Sequence, residues 1–158
     1  MNHDTLYRLW ELRDLKPLST LFDGYRQFYK CPPDVTAARN WLEVNYRESR
    51  SSVWVAEEND QIVGFTQLYP AHCSVELVSY FVLYDLYVAE SARRRGIARG
   101  LMKAASAWAK AQGAARLDLE TARDNHEAQG LYRDLGYQLD AVFLKFSLDL
   151  GKSPTGTT

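Results

Sequence analysis

Apolar positions recur along this chain with two periods, and the places where the period changes divide it into elements. Residues Thr5–Arg13, TLYRLWELR, alternate apolar with polar and predict a first strand. Asp14 then offers a cap, and Leu18, Leu21, Phe22, Tyr25 and Tyr29 follow at helical spacing despite Gly24. The run Cys31-Pro32-Pro33 ends that helix. Asp34 caps a second one, with Ala38, Trp41, Leu42 and Tyr46 on one stripe. Two β-rich runs, Ser52–Glu57 and Gln61–Tyr69, flank Asn59-Asp60 and predict a hairpin.

The second half continues the alternation of types. Glu76–Val88 is a long run of β-branched and aromatic residues, read as a strand. Gly96–Gln112 carries Ile97, Leu101, Ala104, Ala105 and Trp108 at helical spacing and stops at Gly113. Leu117 and Leu119 alternate with Arg116, Asp118 and Glu120, which predicts another strand. A fourth helix spans about Asn125 to Leu135, striped by Ala128, Leu131, Tyr132 and Leu135 and capped by Gly136. Tyr137–Leu150 reads as a last extended stretch, and the polar residues 151–158 as a disordered tail. The strand, helix, strand run from Glu76 to Thr121 is a parallel βαβ unit, while the short turns elsewhere predict antiparallel pairing. The expected architecture is therefore a single α/β (α+β) domain over residues 4–150. Its sheet is mixed, mostly antiparallel and six- to seven-stranded, with helices on both faces.

Charge narrows the partners. Among 158 residues, 19 Lys and Arg nearly balance 20 Asp and Glu, for a formal net charge of -1. No global field draws such a chain to nucleic acid or to an anionic membrane, so neither is expected as a partner. The most apolar stretch, VELVSYFVLYDLYV, contains Glu76 and Asp85 and is too short to span a bilayer. The start MNHDTLYRLW lacks the pattern of a secretory leader. Cys31 and Cys73 form no metal-ligand spacing and read as reduced thiols, so a cytoplasmic location is expected. His72 beside Cys73 suggests a thiolate or metal site, but strand neighbours point apart and no third ligand has matching spacing, so no metal is expected.

One local feature stands out against this balance. Arg93, Arg94, Arg95 and Arg99 surround Gly96-Ile97-Ala98 between the end of the long strand and the start of a helix. Three readings compete: a solvated basic face, a nucleic-acid patch and a phosphate cradle. A nucleic-acid patch needs basic residues interleaved with aromatics over a broad face, and only this cluster exists. The position favours the cradle, because uncapped amides and the helix dipole attract anions there. The stretch is not a Walker loop, since it lacks GxxxxGK[ST], and its glycines do not fit a dinucleotide fingerprint.

The run Arg93-Arg94-Arg95-Gly96-Ile97-Ala98 after Leu86-Tyr87-Val88 resembles the loop that GNAT-superfamily N-acetyltransferases use for the pyrophosphate of acetyl-CoA. DNHEAQGLYRDLGY, Asp124–Tyr137, resembles the later motif of the same superfamily, and the order of elements is similar from Thr5 to about Leu150. VGFTQLYP and LYDLYV resemble a bacterial branch related to polyamine and D-amino-acid acetyltransferases. The chain departs from the pattern at Arg94, where many members have Gly, at Glu90, where proline is common, and at Ala98, where Gly is commoner. Tyr84 stands where some polyamine-acetylating relatives carry an acid.

The resemblance implies an acetyl-CoA-dependent N-acetyltransferase acting on the primary amine of a small molecule, with superfamily members often forming homodimers. Leu86, Tyr87, Val88, Arg93, Arg94, Arg95, Gly96, Ile97, Ala98, Arg99 and Asn125 are the implied acetyl-CoA contacts. Tyr132 is the implied general acid, although its place on the apolar stripe equally suits a core residue; Asn125 also suits a plain helix cap. Asp85 and Glu120 are the candidate proton acceptors, with Asp85 preferred. Tyr25, Phe28 and Tyr29 either line an acceptor pocket, together with Asp85, or pack in the core. The alternatives are a non-catalytic acyl-CoA sensor and a peptide or protein N-acetyltransferase. The apolar stretch around Phe143 and Phe146 is the expected dimer surface.

Overall fold

The computed structural model describes residues 4–151, and these fall into two compact units, residues 1–122 and 123–158. The first unit holds a five-stranded sheet in the order β1-β2-β3-β4-β5. Its elements are β1 (Leu6–Leu9), α1 (Leu15–Phe28), α2 (Val35–Arg47), β2 (Ser52–Glu58), β3 (Gln61–Cys73), β4 (Val78–Val88), α3 (Ile97–Ala111) and β5 (Leu117–Asp118). The first four strands pair antiparallel and β5 joins β4 in parallel, as the βαβ pattern predicts.

Alternation along the strands sends side chains to two cores. Val53 and Val55 of β2 and Phe65 of β3 meet Leu15, Leu18, Phe22, Ala38 and Leu42 from α1 and α2. Ala56 and Val88 face the other way and meet Ile97 and Leu101 of α3, with Trp54 packed alongside. The sheet is thus sandwiched, and the class is α/β as the sequence predicts.

Three expectations are corrected. The first strand ends at Leu9, not Arg13, because Glu11 and Asp14 form a reciprocal capping box that curls the chain into a short 3-10 turn. The Arg8 guanidinium bonds Asp14 at 2.7 Å and also Glu57, anchoring that turn to β2. On α2 the inward stripe is Ala38, Leu42 and Asn45, while Trp41 and Tyr46 lie at the surface. Finally, the sheet has five strands among the described residues, not six or seven.

The strand shortfall lies in the second unit. It contains α4 (His126–Asp134), capped at its start by Asn125, whose side chain accepts from the Ala128 amide at 3.3 Å. The helix closes with Gly136 N–H on Arg133 O and Tyr137 N–H on Tyr132 O, both 3.0 Å, the hydrogen-bond pattern of a Schellman turn. Beyond Tyr137 the described residues form no strand, and Leu139, Val142, Phe143, Leu144, Phe146, Leu148 and Leu150 are exposed. Alternation names the face a strand would bury but cannot supply the neighbouring ladder that makes it one. The tail expected at 151–158 lies, apart from Gly151, outside the described residues. No helix among the described residues is long and apolar enough to cross a membrane.

Candidate active site

The loop between β4 and α3 is shaped by two left-handed residues, Arg94 at φ +60° and Gly96 at φ +79°. Gly96 is the N-cap of α3 and brings no side chain to satisfy the first-turn amides. A Cβ placed on Gly96 meets nothing within 4 Å, so the helix start is open. The positive end of a 15-residue helix favours an anion at this position.

The arginines around them divide by task. Arg95 pairs with the buried Glu58 at 2.5 Å, and Glu58 also accepts from Thr5 at 2.7 Å. Arg93 donates from Nε to Val88 O at 3.0 Å, and its guanidinium lies over the Tyr87 ring, 5.4 Å from the centroid. Both therefore stitch the loop to β2 and β4. Arg94 is exposed and Arg99 half-buried. Ile97 has its side chain in the core and Ala98 packs against that core, so each offers the loop its amide alone.

A bulge in β4 re-aims the strand's edge. Near its start, Phe81 N–H donates to Arg116 O at 3.3 Å and Ser79 O accepts from Ala115 N–H at 2.9 Å, so odd-numbered residues face β5. Past its end, Ala89 N–H donates to Val63 O at 2.9 Å, so odd-numbered residues there face β3. The change falls at Tyr84, the extra residue between the pairs Gln67–Asp85 and Leu68–Leu83. Leu86 and Val88 consequently turn their backbone groups to the β5 side. Among the described residues β5 pairs only with Phe81 and Val82, so this stretch of edge has no strand partner among them. N–H groups on such an edge suit an amide-bearing chain laid alongside, or a carbonyl in need of polarisation.

On the α1–α2 face of the bulge sits a buried carboxylate. Asp85 is 6% exposed and accepts from Gln67 Nε2 at 2.7 Å. Gln67 Oε1 in turn accepts from Ser51 Oγ at 2.6 Å and Asn45 Nδ2 at 3.3 Å. Asn45 Nδ2 also donates to Tyr69 Oη at 3.1 Å, and Trp41 Nε1 reaches the same oxygen at 3.3 Å. Burial pushes the Asp85 carboxyl above the ordinary value of 3.8, and its interactions with Gln67 and the Tyr25 phenol only partly offset this. Burial, followed by the charge of Asp85, raises the Tyr25 phenol well beyond its usual range. Glu120, the other candidate acceptor, is exposed.

Tyr25 packs in the core and also reaches Asp85. Its ring packs on Phe22, Phe65 and Tyr87, with centroids 5.9 to 6.1 Å away, while its hydroxyl addresses Asp85. Phe28 and Tyr29 lie outside the core, 57% and 54% exposed. Tyr84, pushed outward by the bulge, stacks edge-on with Tyr69 at 5.8 Å. An open groove of about 370 Å³ lies between α1 and the end of β4, lined by Pro17, Leu21, Gly24, Ile62, Tyr87 and Glu90 among others. His72 bonds Ser79 across the hairpin at 3.0 Å, and both cysteines are free thiols.

In the second unit, Tyr132 lies half-buried on α4, its ring 6.0 Å from that of Tyr137, and Asn125 caps the helix. The sequence reading missed Gln67, Asn45, Ser51 and Tyr69. The available signals were Thr66-Gln67 inside an otherwise apolar strand, and Asn45 seven residues after Ala38 on the inward stripe of α2.

Residues 14–137 match the Acetyltransferase (GNAT) family. The uncharacterized N-acetyltransferase YhfO of Bacillus subtilis (strain 168) is 36% identical over 137 residues, covering 87% of this chain and 92% of its own. A crystal structure described as that of a "probable acetyltransferase" superposes with a TM-score of 0.87 at 33% identity, covering 94% of this chain and 99% of that one. An aminoglycoside N-acetyltransferase in complex with CoA shares the fold, with a TM-score of 0.80 at 17% identity over 94% of this chain and 97% of that one. The open helix start, the unpaired β4 edge and these likenesses agree: the chain belongs to the GNAT family and is an acetyl-CoA-dependent acetyltransferase.

Proposed function

We propose that this acetyltransferase modifies the primary amine of a small cationic molecule, such as a polyamine, an amino acid or an aminated metabolite. The supporting observation is Asp85, a buried carboxyl with a raised pKa beside the bulge and the free edge of β4. The near-neutral chain offers no broad basic surface for an acidic macromolecule. The branch resembling polyamine and D-amino-acid acetyltransferases fits this assignment.

The residues present fit acetyl-CoA: uncapped amides and an open Gly96 suit a pyrophosphate, and the Leu86 and Val88 edge suits an amide-bearing arm. When bound, acetyl-CoA supplies an activated acyl group as a thioester. Asp85 attracts the ammonium and takes its proton, leaving the nitrogen lone pair free to attack the acyl carbon. The C–N bond forms as the C–S bond breaks. The resemblance assigns the proton delivered to the sulfur to Tyr132, and the arm's further partner to Asn125. The second proton lost by the nitrogen returns to the phenolate left once the sulfur is protonated. Tyr25, Phe28 and Tyr29 offer aromatic faces to an ammonium or alkyl group.

A CoA-thiol release assay against polyamines, amino acids, other primary amines and short peptides tests the substrate class. Small cationic amines are expected to turn over, with Asp85→Asn raising KM for them more than for neutral acceptors. Turnover of peptides alone would overturn the assignment. Gly96→Glu should abolish CoA binding in calorimetry, since the side chain places a negative charge at the open helix start. We further propose a cytoplasmic homodimer joined through the region of Phe143 and Phe146, both exposed; a clean monomer by light scattering at micromolar concentration would exclude the dimer.

A further inference from the structure

Asp85 is held by a chain of polar groups that all point one way. A carboxylate only accepts, so Gln67 must turn its NH2 towards Asp85. That leaves Gln67 Oε1 facing inward, where Ser51 Oγ at 2.6 Å and Asn45 Nδ2 at 3.3 Å donate to it. Gln67 and Asn45 are buried, at 0% and 1% exposure, while Ser51 is half-buried.

The direction has an energetic signature. Asn45 Oδ1 is buried without a hydrogen-bond partner. Leaving a buried acceptor unpaired is unfavourable. Turning the Asn45 amide over would offer that oxygen the Tyr69 hydroxyl, but would bring two carbonyl oxygens together at Gln67. The orphaned oxygen is therefore the consequence of keeping Gln67 Nε2 on the carboxylate.

We infer that Gln67, oriented by Ser51 and Asn45, is a positioning residue that keeps Asp85 ionisable and aimed for the incoming amine. The inference rests on the role proposed for Asp85 above. Geometry supports it: Gln67 and Asp85 are direct cross-strand partners at the bulge, with Nε2 2.7 Å from the carboxyl oxygen. The other titratable groups facing Asp85 are Tyr25 from α1 and Tyr69 from β3, with Tyr84 beside them on β4. Burial raises the Tyr25 and Tyr69 phenols above their ordinary value, so neither brings a charge to Asp85, and the hydrogen bond from Gln67 fixes the direction of the carboxyl.

The test is a ¹³C NMR titration of the Asp85 carboxyl carbon in the protein alone, assigned by its loss in Asp85→Asn. Gln67→Met keeps the volume and removes the donor; the carboxyl midpoint is expected to move up by roughly one unit. Ser51→Ala combined with Asn45→Ala leaves Asp85 and Gln67 themselves in place but removes both donors to Gln67 Oε1, and the midpoint should still move upward, by less. A purely structural role would lower thermal stability and leave the midpoint in place, and that result would overturn the inference. Should Gln67→Met not fold, the milder Ser51→Ala protein decides by the same readout, with an unmoved midpoint counting against the inference. The role of Asp85 itself fails separately: an Asp85→Asn enzyme with wild-type kcat/KM in the amine panel refutes that role whatever the titration shows.

Discussion

Gly100 lies in the first turns of α3, and the ring of Tyr7 occupies the place where its side chain would be. A Cβ built there falls 2.1 Å from Tyr7 Cζ, 2.2 Å from Oη and 2.6 Å from Cε1. Carbon atoms rest at about 3.5–4 Å, so Gly100→Ala forces the ring or the helix back by more than about 1 Å. Replacing a helical Gly by Ala should by itself gain about 1 kcal/mol. Overpacking of this kind costs about 1–3 kcal/mol, and Tyr7 packs on the core that holds Ala56, Val88 and Ile97. An approach of 2.1 Å belongs at the upper end of that cost, about 2–3 kcal/mol, so the net expectation is a loss of about 1–2 kcal/mol, or a Tm lower by about 2–8 °C for a chain of this size. The displacement also reaches the loop, because Gly100 N–H donates to Gly96 O at 3.0 Å. CoA affinity should therefore fall with stability. Thermal unfolding by circular dichroism and CoA calorimetry measure the two. Gly130→Ala on α4, where an added Cβ meets nothing within 4 Å, is the control and should raise Tm. In a Tyr7→Ala background Gly100→Ala should cease to destabilise. A Gly100→Ala protein as stable as wild type, or one equally damaged without the Tyr7 ring, would refute the steric reasoning.

Three further outcomes are expected. Because burial raises the Asp85 pKa in the folded protein, its ionisation opposes folding: there is no penalty below the unfolded value near 3.8, and it grows as pH rises through the folded pKa. Asp85→Asn should thus be more stable than wild type at pH 7 and lose that advantage towards pH 4, while its turnover falls; a pH-independent difference in Tm would contradict this. Arg94→Gly removes a side chain from a residue at φ +60° and should stabilise by about 0.5–1 kcal/mol in thermal melts; an unchanged or lower Tm would contradict this. Tyr132→Phe should lower kcat by about 100-fold with little change in the KM for acetyl-CoA, since a proton donor acts in the transition state; full turnover would return Tyr132 to a packing role.

What the sequence determined by itself is what depends on near neighbours along the chain. The Asp34 and Asn125 caps, the turns at Gly113 and Gly136, and the helix start at Gly96 all arise within a few residues and appear where the pattern predicts them, whereas the α2 stripe is only partly as predicted. The basic loop and Asp85 were legible for the same reason. Tertiary structure decided what depends on partners distant in sequence. Only strand pairing reveals that Tyr84 is a bulge, which reverses the parity of β4 and opens the edge at Leu86 and Val88. Only the fold shows that Arg95 is taken up by Glu58, 37 residues away, and that the polar groups behind Asp85 come from α2, the residue before β2, and β3. The apolar alternation of residues 142–150 makes the same point from the other side, for a pattern without a ladder beside it remains an exposed segment. Local periodicity encodes which face is apolar; hydrogen-bond register and buried polar pairing arise only when segments remote in sequence meet.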